Sequence, residues 1–350
     1  MSDNADAIWK SIENLPRQTL ADLFGNDPQR LDLLSHRVPL AGTDILFDYS
    51  KTHLDAGLLA QFEKLADAMD LAGMRDEFLS GAKINSSEGR AAEHPAERGM
   101  GAAESVAAAN NLHSRMAALV DAIDQGVFGE IKHVLHIGIG GSALGPKLVI
   151  DALCRDSDRY DIAVVANVDG EALSEAVAKF DPARTLVAIA SKTFTTTETL
   201  MNATSAIEWM REGGVEDPYG QLVALTAAPD KAAEWGIDET RILPFSEMVG
   251  GRYSVWSSIG FPVALALGNE GFAAFLAGAA AMDAHFASAP FSRNMPVLAA
   301  FADLYYTQVR GCQTRAAFAY DERIRLLPDY LQQLEMESNG KAVRRDGTVL

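Results

Sequence analysis

Cysteine, a leader-like N-terminus and long hydrophobic runs are all scarce or absent in this sequence. Its two cysteines, Cys154 and Cys312, lie in helix-like surroundings, so we expect reduced thiols in a cytoplasmic protein rather than a disulfide framework. The acidic first residues lack the basic and apolar regions of a signal peptide. Residues 261–267 come nearest to a membrane-spanning run and are too few to cross a bilayer.

Positive charge is also in short supply. The 350 residues include 30 Lys and Arg against 48 Asp and Glu, which gives a net charge of −18. Such a surface argues against nucleic acid and anionic membranes as partners. An anionic small molecule would therefore need a local site that offsets the overall repulsion. The hydrophobic content of 48% is ample for a sizeable core, and the length indicates two domains or one large one.

Short apolar runs alternate with helical patterns through the middle of the chain. This alternation predicts an α/β fold with a doubly wound, parallel, five-stranded sheet and right-handed crossovers. The predicted strands are 134–139, 162–168, 185–190, 222–226 and 241–244.

The remaining sequence predicts three segments. Residues 1–104 form a helical N-terminal region and linker, 105–290 the first α/β domain, and 291–350 the start of a second α/β domain. The last segment contains one predicted strand, 316–320, and a lone strand cannot form a sheet. We therefore expect that this strand joins the first sheet or that the second domain is incomplete.

Two strand-loop-helix units carry the chemistry. Residues 136–142 read His-Ile-Gly-Ile-Gly-Gly-Ser, and residues 191–197 read Ser-Lys-Thr-Phe-Thr-Thr-Thr. Glycines let the first loop turn tightly beside a ligand, and each following helix would point free amide groups at that ligand. Amides, hydroxyls and a single lysine suit a phosphate ester at the sheet rim where ligands bind in open α/β folds.

Other interpretations fit parts of this pattern. Residues 138–143 match the G-x-G-x-x-G/A dinucleotide motif, and Asp169 falls roughly where a ribose-binding acid would lie, which favours a nucleotide-linked oxidoreductase. Alternatively, the glycines only turn the chain and the threonines only cap a helix. On the residues alone, Arg252 could be an ordinary salt-bridge partner, and Glu337 a glutamate at a helix end.

Taken together, several strings resemble the glucose-6-phosphate isomerase (phosphoglucose isomerase) family. The strings occur in family order and span the chain from about residue 45 to its end. They are residues 137–146, 191–199, 250–257 and 331–341, with a weaker match at 81–85 and 90–91.

The resemblance implies sugar-isomerase-type domains in a homodimer that interconverts glucose 6-phosphate and fructose 6-phosphate without metal, nucleotide or other cofactor. The sugar would lie against Gly141, Arg252 and Gln333, and Glu337 would carry a proton between carbons 1 and 2. The phosphate group would be bound or framed by Ser142, Ser191, Lys192, Thr193, Thr196 and Thr199.

The sequence also departs from the family. Ala82 replaces a usual acidic residue, the segment 95–99 differs from the usual Ala-Leu-Arg, and Ala143 and Thr197 stand where aspartate and glutamine are common. Family members run further and carry a histidine in a Gly-Gln-His context and a lysine near the C-terminus. None of the seven histidines here has that context. We therefore expect a truncated isomerase of low turnover, with a non-catalytic sugar-phosphate-binding module as the alternative.

Overall fold

The computed structural model describes residues 3–40, 42–86, 88–344 and 347–349. The chain divides into two compact units. One consists of the residues up to Ser80 together with Ala277–Ala316, and the other of Gly81–Leu276 together with the residues from Ala317 onward. Both units are therefore discontinuous in sequence, unlike the predicted segments 1–104, 105–290 and 291–350, whose limits remain a prediction.

The first unit is mainly helical, as its sequence predicts. Phe62, Leu34 and Leu298 are buried in its apolar core. Two strands of this unit form an antiparallel pair in which Ser35 lies opposite Asp48. Its elements are α1 Asp3–Glu13, α2 Leu20–Asn26, α3 Arg30–Leu34, β1 Ser35–Leu40, β2 Thr43–Asp48, α4 Ala56–Ala68, α5 Leu71–Leu79 and, later in the chain, α12 Met295–Leu304.

A buried arginine stabilises the loop that follows β2. Arg30 is only 1% exposed, and its guanidinium donates to the carbonyls of Ser50 at 2.8 Å and Leu54 at 2.7 Å, and also to that of Thr52. The guanidinium also lies 5.4 Å from the ring centre of Phe24. Because the donors are charged and shielded from water, these bonds are stronger than typical surface hydrogen bonds.

The second unit contains the predicted sheet. Its elements are α6 Ala103–Asp124, β3 His133–Gly138, α7 Leu144–Leu153, β4 Asp161–Val165, α8 Gly170–Val177, β5 Thr185–Ala190, α9 Thr197–Glu212, β6 Leu222–Thr226, α10 Pro229–Glu234, β7 Ile242–Pro244 and α13 Leu327–Asn339. Within the described residues, β3 to β7 form one parallel sheet in the order β4-β3-β5-β6-β7. The five-stranded parallel sheet is thereby confirmed.

Alternate side chains of the strands are buried on opposite faces of this sheet. Val134 and Leu186 belong to the core cluster on one face, which also contains residues of α6 and α7. Leu135 and Val187 belong to the other cluster, with residues of α8 and α9. Full burial on both faces explains why the central strands read as continuous apolar runs instead of alternating ones.

The register of the central strands brings the two motif loops to one rim. Gly138 at the end of β3 pairs with Ala190 at the end of β5. The chain leaves β3 toward β4 on one side, and then returns past β3 to β5 on the other side. Such a switch point opens a crevice between the two strand ends, where open α/β sheets bind ligands.

One prediction about the remaining elements is wrong. Residues 316–320 are irregular rather than a strand, and Phe318 and Tyr320 are 77% and 96% exposed. The apolar run at 261–267 belongs to a much longer helix, α11 Phe261–Ser288, which has a non-helical residue at Gly268. By length and composition alone Ser258–Ser288 could cross a membrane, although half of its most apolar window is buried inside the protein.

We predict that Arg30→Met lowers the free energy of unfolding by about 3 kcal/mol, because it leaves buried carbonyls without their charged donors. Urea-induced unfolding followed by circular dichroism measures this change. Arg37→Met is the matched control, since Arg37 is exposed and its ion pair with Asp44 at 2.9 Å should contribute less than about 1 kcal/mol. Equal losses in both variants would contradict the stabilising role of Arg30.

Candidate functional site

The loop at 139–143, here called the glycine loop, lies between β3 and α7 and depends on a very close backbone contact. Gly140 has a φ of 55°, a left-handed conformation that favours glycine. A Cβ atom on Gly141 would lie 2.2 Å from the carbonyl carbon of Gly251 and 2.6 Å from the nitrogen of Arg252. No side chain fits there without moving one of the two backbones, so Gly141 sets the distance between this loop and the segment that carries Arg252.

A buried histidine of β3 holds the end of the same loop through a hydrogen bond. His136 of β3 is fully buried, and its Nε2 donates to the carbonyl oxygen of Ser142 at 2.7 Å. Burial lowers the pKa of His136 to about 4, so the imidazole is neutral near pH 7. This bond ties the end of the loop to the strand that leads into it.

The loop at 191–196, here called the hydroxyl loop, lies between β5 and α9, and its side chains form hydrogen bonds with one another. Ser191 is buried, and a hydrogen bond of 3.0 Å joins its Oγ to Oγ1 of Thr196. Oγ1 of Thr193 lies 2.8 Å from that of Thr195. Thr196 precedes the first residue of α9, yet its side chain makes no capping bond to the helix. Helix capping therefore does not explain Thr196.

Lys192 contacts carbonyl groups rather than carboxylates. Its Nζ donates to the carbonyl oxygens of Glu247 at 2.7 Å and Val249 at 2.9 Å. Burial, and then the charge of Arg90, lower the pKa of Lys192 below its ordinary value. The lysine thus joins the hydroxyl loop to the segment just before Gly250, in addition to bordering the cavity described next.

One cavity of about 270 Å³ lies between the two loops, and all the predicted site residues except Arg252 line it. Those residues are Gly141, Ser142, Ser191, Lys192, Thr193, Thr196, Thr199, Gln333 and Glu337. The N-termini of α7 and α9 both begin beside it, and neither has a side-chain cap. Uncapped amides and hydroxyls make this cavity suited to an anion.

Two polar atoms at the cavity lack partners among the residues that the structure describes. Oγ1 of Thr199 is buried and unbonded, and Thr199 as a whole is 1% exposed. Oε1 of Gln333 is likewise buried without a partner. Because a buried unsatisfied polar atom costs about 1–3 kcal/mol, such atoms lining a cavity are typical of a ligand-binding site.

Arg252 lies beside the cavity and contacts its acidic residue. Nη1 of Arg252 is 3.3 Å from Oε2 of Glu337, and Nε2 of Gln333 donates to Oε1 of Glu337 at 2.7 Å. Gln333 and Glu337 are one helical turn apart on α13, so both face the same side. The carboxylate is thereby held between a guanidinium and an amide at the edge of the anion-binding cavity.

The dinucleotide interpretation receives no support from Asp169. This residue precedes α8, and its side chain accepts a hydrogen bond from the backbone nitrogen of Glu171 at 3.0 Å. It is a helix cap and does not line the cavity. The acidic residue after β4 thus has a local structural role, while the glycine motif closely approaches the backbone of Gly251.

The structure also adds residues that the motif reasoning did not single out. Ile139, Gly140, Ala190 and Gly251 line the cavity through positions next to the predicted ones. Ser338 accepts a hydrogen bond from Nε of Arg252 at 2.8 Å. The signal for Ser338 was its position directly after Glu337 in the fourth motif string.

Comparison with known proteins finds one family that the chain matches over most of its length. A family model described as phosphoglucose isomerase matches residues 48–350. The glucose-6-phosphate isomerase of Novosphingobium aromaticivorans is 64% identical over 346 residues, covering 99% of this chain and 68% of that protein. The enzyme of that name from Zymomonas mobilis is 59% identical over 345 residues, covering 99% and 67% respectively.

A solved structure gives the same result. The chain matches a glucose-6-phosphate isomerase from Chlamydia trachomatis with a TM-score of 0.85 and 26% identity, covering 99% of this chain and 68% of that one. The chain thus spans about two thirds of the length of these relatives. Both loops, Arg252 and Glu337 lie inside the matched region, so the resemblance seen in the motif strings is confirmed: the chain belongs to the phosphoglucose isomerase family.

Proposed function

We propose that this chain is an aldose–ketose isomerase which interconverts glucose 6-phosphate and fructose 6-phosphate. The observation that carries the proposal is the Glu337 carboxylate beside Arg252, at the edge of a cavity lined by hydroxyls and helix N-termini. The relatives' shared name, glucose-6-phosphate isomerase, supports glucose 6-phosphate as a substrate. The reaction belongs to sugar-phosphate metabolism of the glycolytic and gluconeogenic type.

The phosphate group of the substrate would occupy the space between the two loops. Ser142, Ser191, Thr193, Thr196 and Thr199 offer hydroxyls there. The amides at the start of α7 and α9 add their partial positive charge. Lys192 supplies a nearby cation, although two backbone carbonyls hold its ammonium group. Fixing the phosphate would orient the distant reacting carbons against α13.

Glu337 would then transfer a proton between neighbouring carbons. Starting from the open-chain aldose, its carboxylate takes the proton from carbon 2, and the electron pair moves through the new carbon–carbon double bond to the oxygen on carbon 1. The proton of the hydroxyl on carbon 2 then moves to the oxygen on carbon 1, and return of the carbon-bound proton from Glu337 to carbon 1 leaves a carbonyl at carbon 2 and a hydroxyl at carbon 1. Substrate and product have the same formula, so the step needs no oxidant or reductant.

Arg252 would stabilise the negative charge of the enediolate intermediate. Its guanidinium is fixed by Ser338 at 2.8 Å and is permanently charged. A fixed cation needs little reorganisation when charge develops on the sugar oxygen, so it stabilises the transition state more than a mobile one would. Gln333, whose carbonyl oxygen is unbonded within the described residues, would accept a hydrogen bond from a sugar hydroxyl.

The proposal extends to the oligomeric state, the location and the partners of the enzyme. We propose a homodimer in the cytoplasm, with a sugar phosphate as its small-molecule partner and with neither nucleic acid nor a membrane as a partner. The net charge of −18 and the two free cysteines support this proposal. Size-exclusion chromatography with light scattering should give about twice the 37.6 kDa chain mass, and a single-chain mass would contradict the dimer.

We predict that Glu337→Gln slows deuterium incorporation at carbon 1 of fructose 6-phosphate by about 10²–10⁴-fold, because the amide cannot accept the carbon-bound proton. Proton NMR in deuterium oxide measures this exchange even when overall turnover is slow. Calorimetry should give an affinity for fructose 6-phosphate within about threefold of that of the unaltered chain, since the phosphate cavity is intact.

Asp329→Asn is the matched control for Glu337→Gln. Asp329 is an exposed acidic residue in the first turn of the same helix and does not line the cavity. Exchange should be unchanged in this variant. Binding without any carbon-1 exchange in the unaltered chain would instead favour the alternative, a non-catalytic sugar-phosphate-binding module.

We predict opposite effects of Thr199→Val on stability and on binding. Removing the buried unbonded hydroxyl should raise the unfolding free energy of the free chain by about 1 kcal/mol, while affinity for fructose 6-phosphate falls about tenfold. Thermal unfolding and calorimetry provide the two values. Thr204→Val is the control on the same helix, since its hydroxyl is exposed and bonds to the carbonyl of Leu200 at 2.9 Å. Unchanged affinity in Thr199→Val would remove Thr199 from the site.

A further inference from the structure

Three planar side chains pack one against the next, beginning with the Arg252 guanidinium that contacts Glu337. The guanidinium carbon of Arg252 is 4.9 Å from the ring centre of Tyr253. The Tyr253 ring is stacked on the imidazole of His94, with ring centres 4.2 Å apart and planes inclined by 10°. His94 begins the short helix His94–Arg98, so an element far away in sequence contacts the residue next to Arg252.

Ser338 fixes the same guanidinium from another direction. Its Oγ donates its one proton to the carbonyl of Leu334, and accepts from Nε of Arg252 at 2.8 Å. Tyr253 Oη lies 3.0 Å from the same Oγ, whose proton is already used, so the tyrosine hydroxyl is the donor. The arginine and the tyrosine ring beside it are therefore both bonded to one atom of α13.

His94 is held in one neutral form. Burial, and then the charges of Arg98 and Arg252, lower its pKa to about 3. Nη2 of Arg98 lies 3.2 Å from Nδ1 of His94, and since a guanidinium only donates, Nδ1 accepts and the proton is on Nε2. Tyr330, whose pKa is raised to about 12 by burial, donates to the carbonyl of Arg252 at 3.0 Å and stays protonated. A neutral imidazole adds no repulsion to this arginine-rich surrounding.

We propose that His94 is a positioning residue, which holds the Arg252 guanidinium in place through the ring of Tyr253. The imidazole packs against the tyrosine ring on one side, and Ser338 fixes the tyrosine hydroxyl, so the ring cannot tilt away from the guanidinium. The positioning can be measured without substrate. Its consequence for enediolate stabilisation rests on the proposed isomerase function.

The direct test is hydrogen exchange of the Arg252 Nε–H, followed by ¹⁵N NMR in the chain without ligand. The resonance is assigned by its loss in Arg252→Lys. His94→Ala should speed this exchange about tenfold or more, because the guanidinium leaves Ser338 more often. His94→Phe keeps a flat neutral ring and should stay within about threefold of the unaltered chain. In the unaltered chain the ¹⁵N chemical shift of Arg252 Nε should stay constant between about pH 5.5 and 8, because the neighbouring His94 stays neutral in this range.

A double-mutant cycle tests whether His94 acts through Tyr253. Tyr253→Leu alone should also speed the exchange, and adding His94→Ala to it should have no further effect. Additive effects would show that His94 acts by another route and would overturn the proposal. The Tyr253→Leu arm also gives a result if His94→Ala, checked by circular dichroism, does not fold.

His133→Ala is the matched control. His133 is stacked on Phe180 with ring centres 4.6 Å apart and planes inclined by 14°, so the variant removes a similar pair from the same unit. Exchange at Arg252 should not change in this control. An equal rise in His133→Ala and His94→Ala, or no rise in His94→Ala, would overturn the proposal.

A ligand measurement separates this proposal from the proposed function. A five-carbon aldonic acid 5-phosphate carries a carboxylate in place of the enediolate oxygens, so it depends on Arg252 more than fructose 6-phosphate does. His94→Ala should weaken its binding about tenfold, and that of fructose 6-phosphate by less than about threefold. Equal weakening of both ligands would overturn positioning of Arg252. If neither ligand binds the unaltered chain, the proposed isomerase function fails. The hydrogen-exchange measurement then decides by itself whether His94 positions Arg252.

Discussion

The contact between the backbones of Gly141 and Gly251 determines the geometry of the whole site. A Cβ atom on Gly141 would approach the carbonyl carbon of Gly251 to 2.2 Å, far inside any van der Waals distance. The glycine loop carries Ser142, one of the proposed phosphate contacts, and the segment after Gly251 carries Arg252. Because interiors are close-packed, a separation fixed by two backbones changes much less than one fixed by side chains. The distance between the glycine loop with Ser142 and the charge-stabilising Arg252 is thus constrained before any ligand binds.

The acidic composition makes this arrangement informative about how an anion can be bound. A chain with a net charge of −18 could concentrate lysines and arginines at its site, yet Lys192 is held by two carbonyls and Arg252 by Glu337 and Ser338. The remaining donors around the cavity are hydroxyls and the uncapped starts of α7 and α9. Recognition by dipoles gives directional contacts at short range, which suits a phosphate whose position must orient a distant carbon atom.

The sheet and the cavity were predictable because their signals are local and their assembly follows simple rules. Residues 185–190 and 222–226 coincide with β5 and β6, since fully apolar runs bounded by turns indicate buried parallel strands. Parallel strands end at one rim, so two motif loops that follow neighbouring strands must face each other. The predicted strand at 316–320 is absent. Only Phe318 and Tyr320 in it favour a strand, and the described residues offer no neighbouring strand for it.

Other features had no signal that one sequence could provide. The stack of His94 on Tyr253 joins residues far apart in the chain, and nothing near His94 distinguishes it from a histidine buried for packing alone. Arg30 has the same difficulty, because a lone arginine in a helical stretch normally reads as a surface residue. Its burial depends on carbonyls of the loop at 50–54, whose conformation the sequence does not reveal.

The contacts of Glu337 reconcile two demands on a proton-transferring carboxylate. It must be held still, and it must keep an oxygen free for the carbon-bound proton. Oε2 contacts Arg252 and Oε1 accepts from Gln333, so the side chain is fixed at both oxygens. An ionised carboxylate has about four lone-pair positions, so two donors leave one position open on each oxygen. The two donors can therefore orient Glu337 toward the cavity without blocking the proton transfer proposed for it.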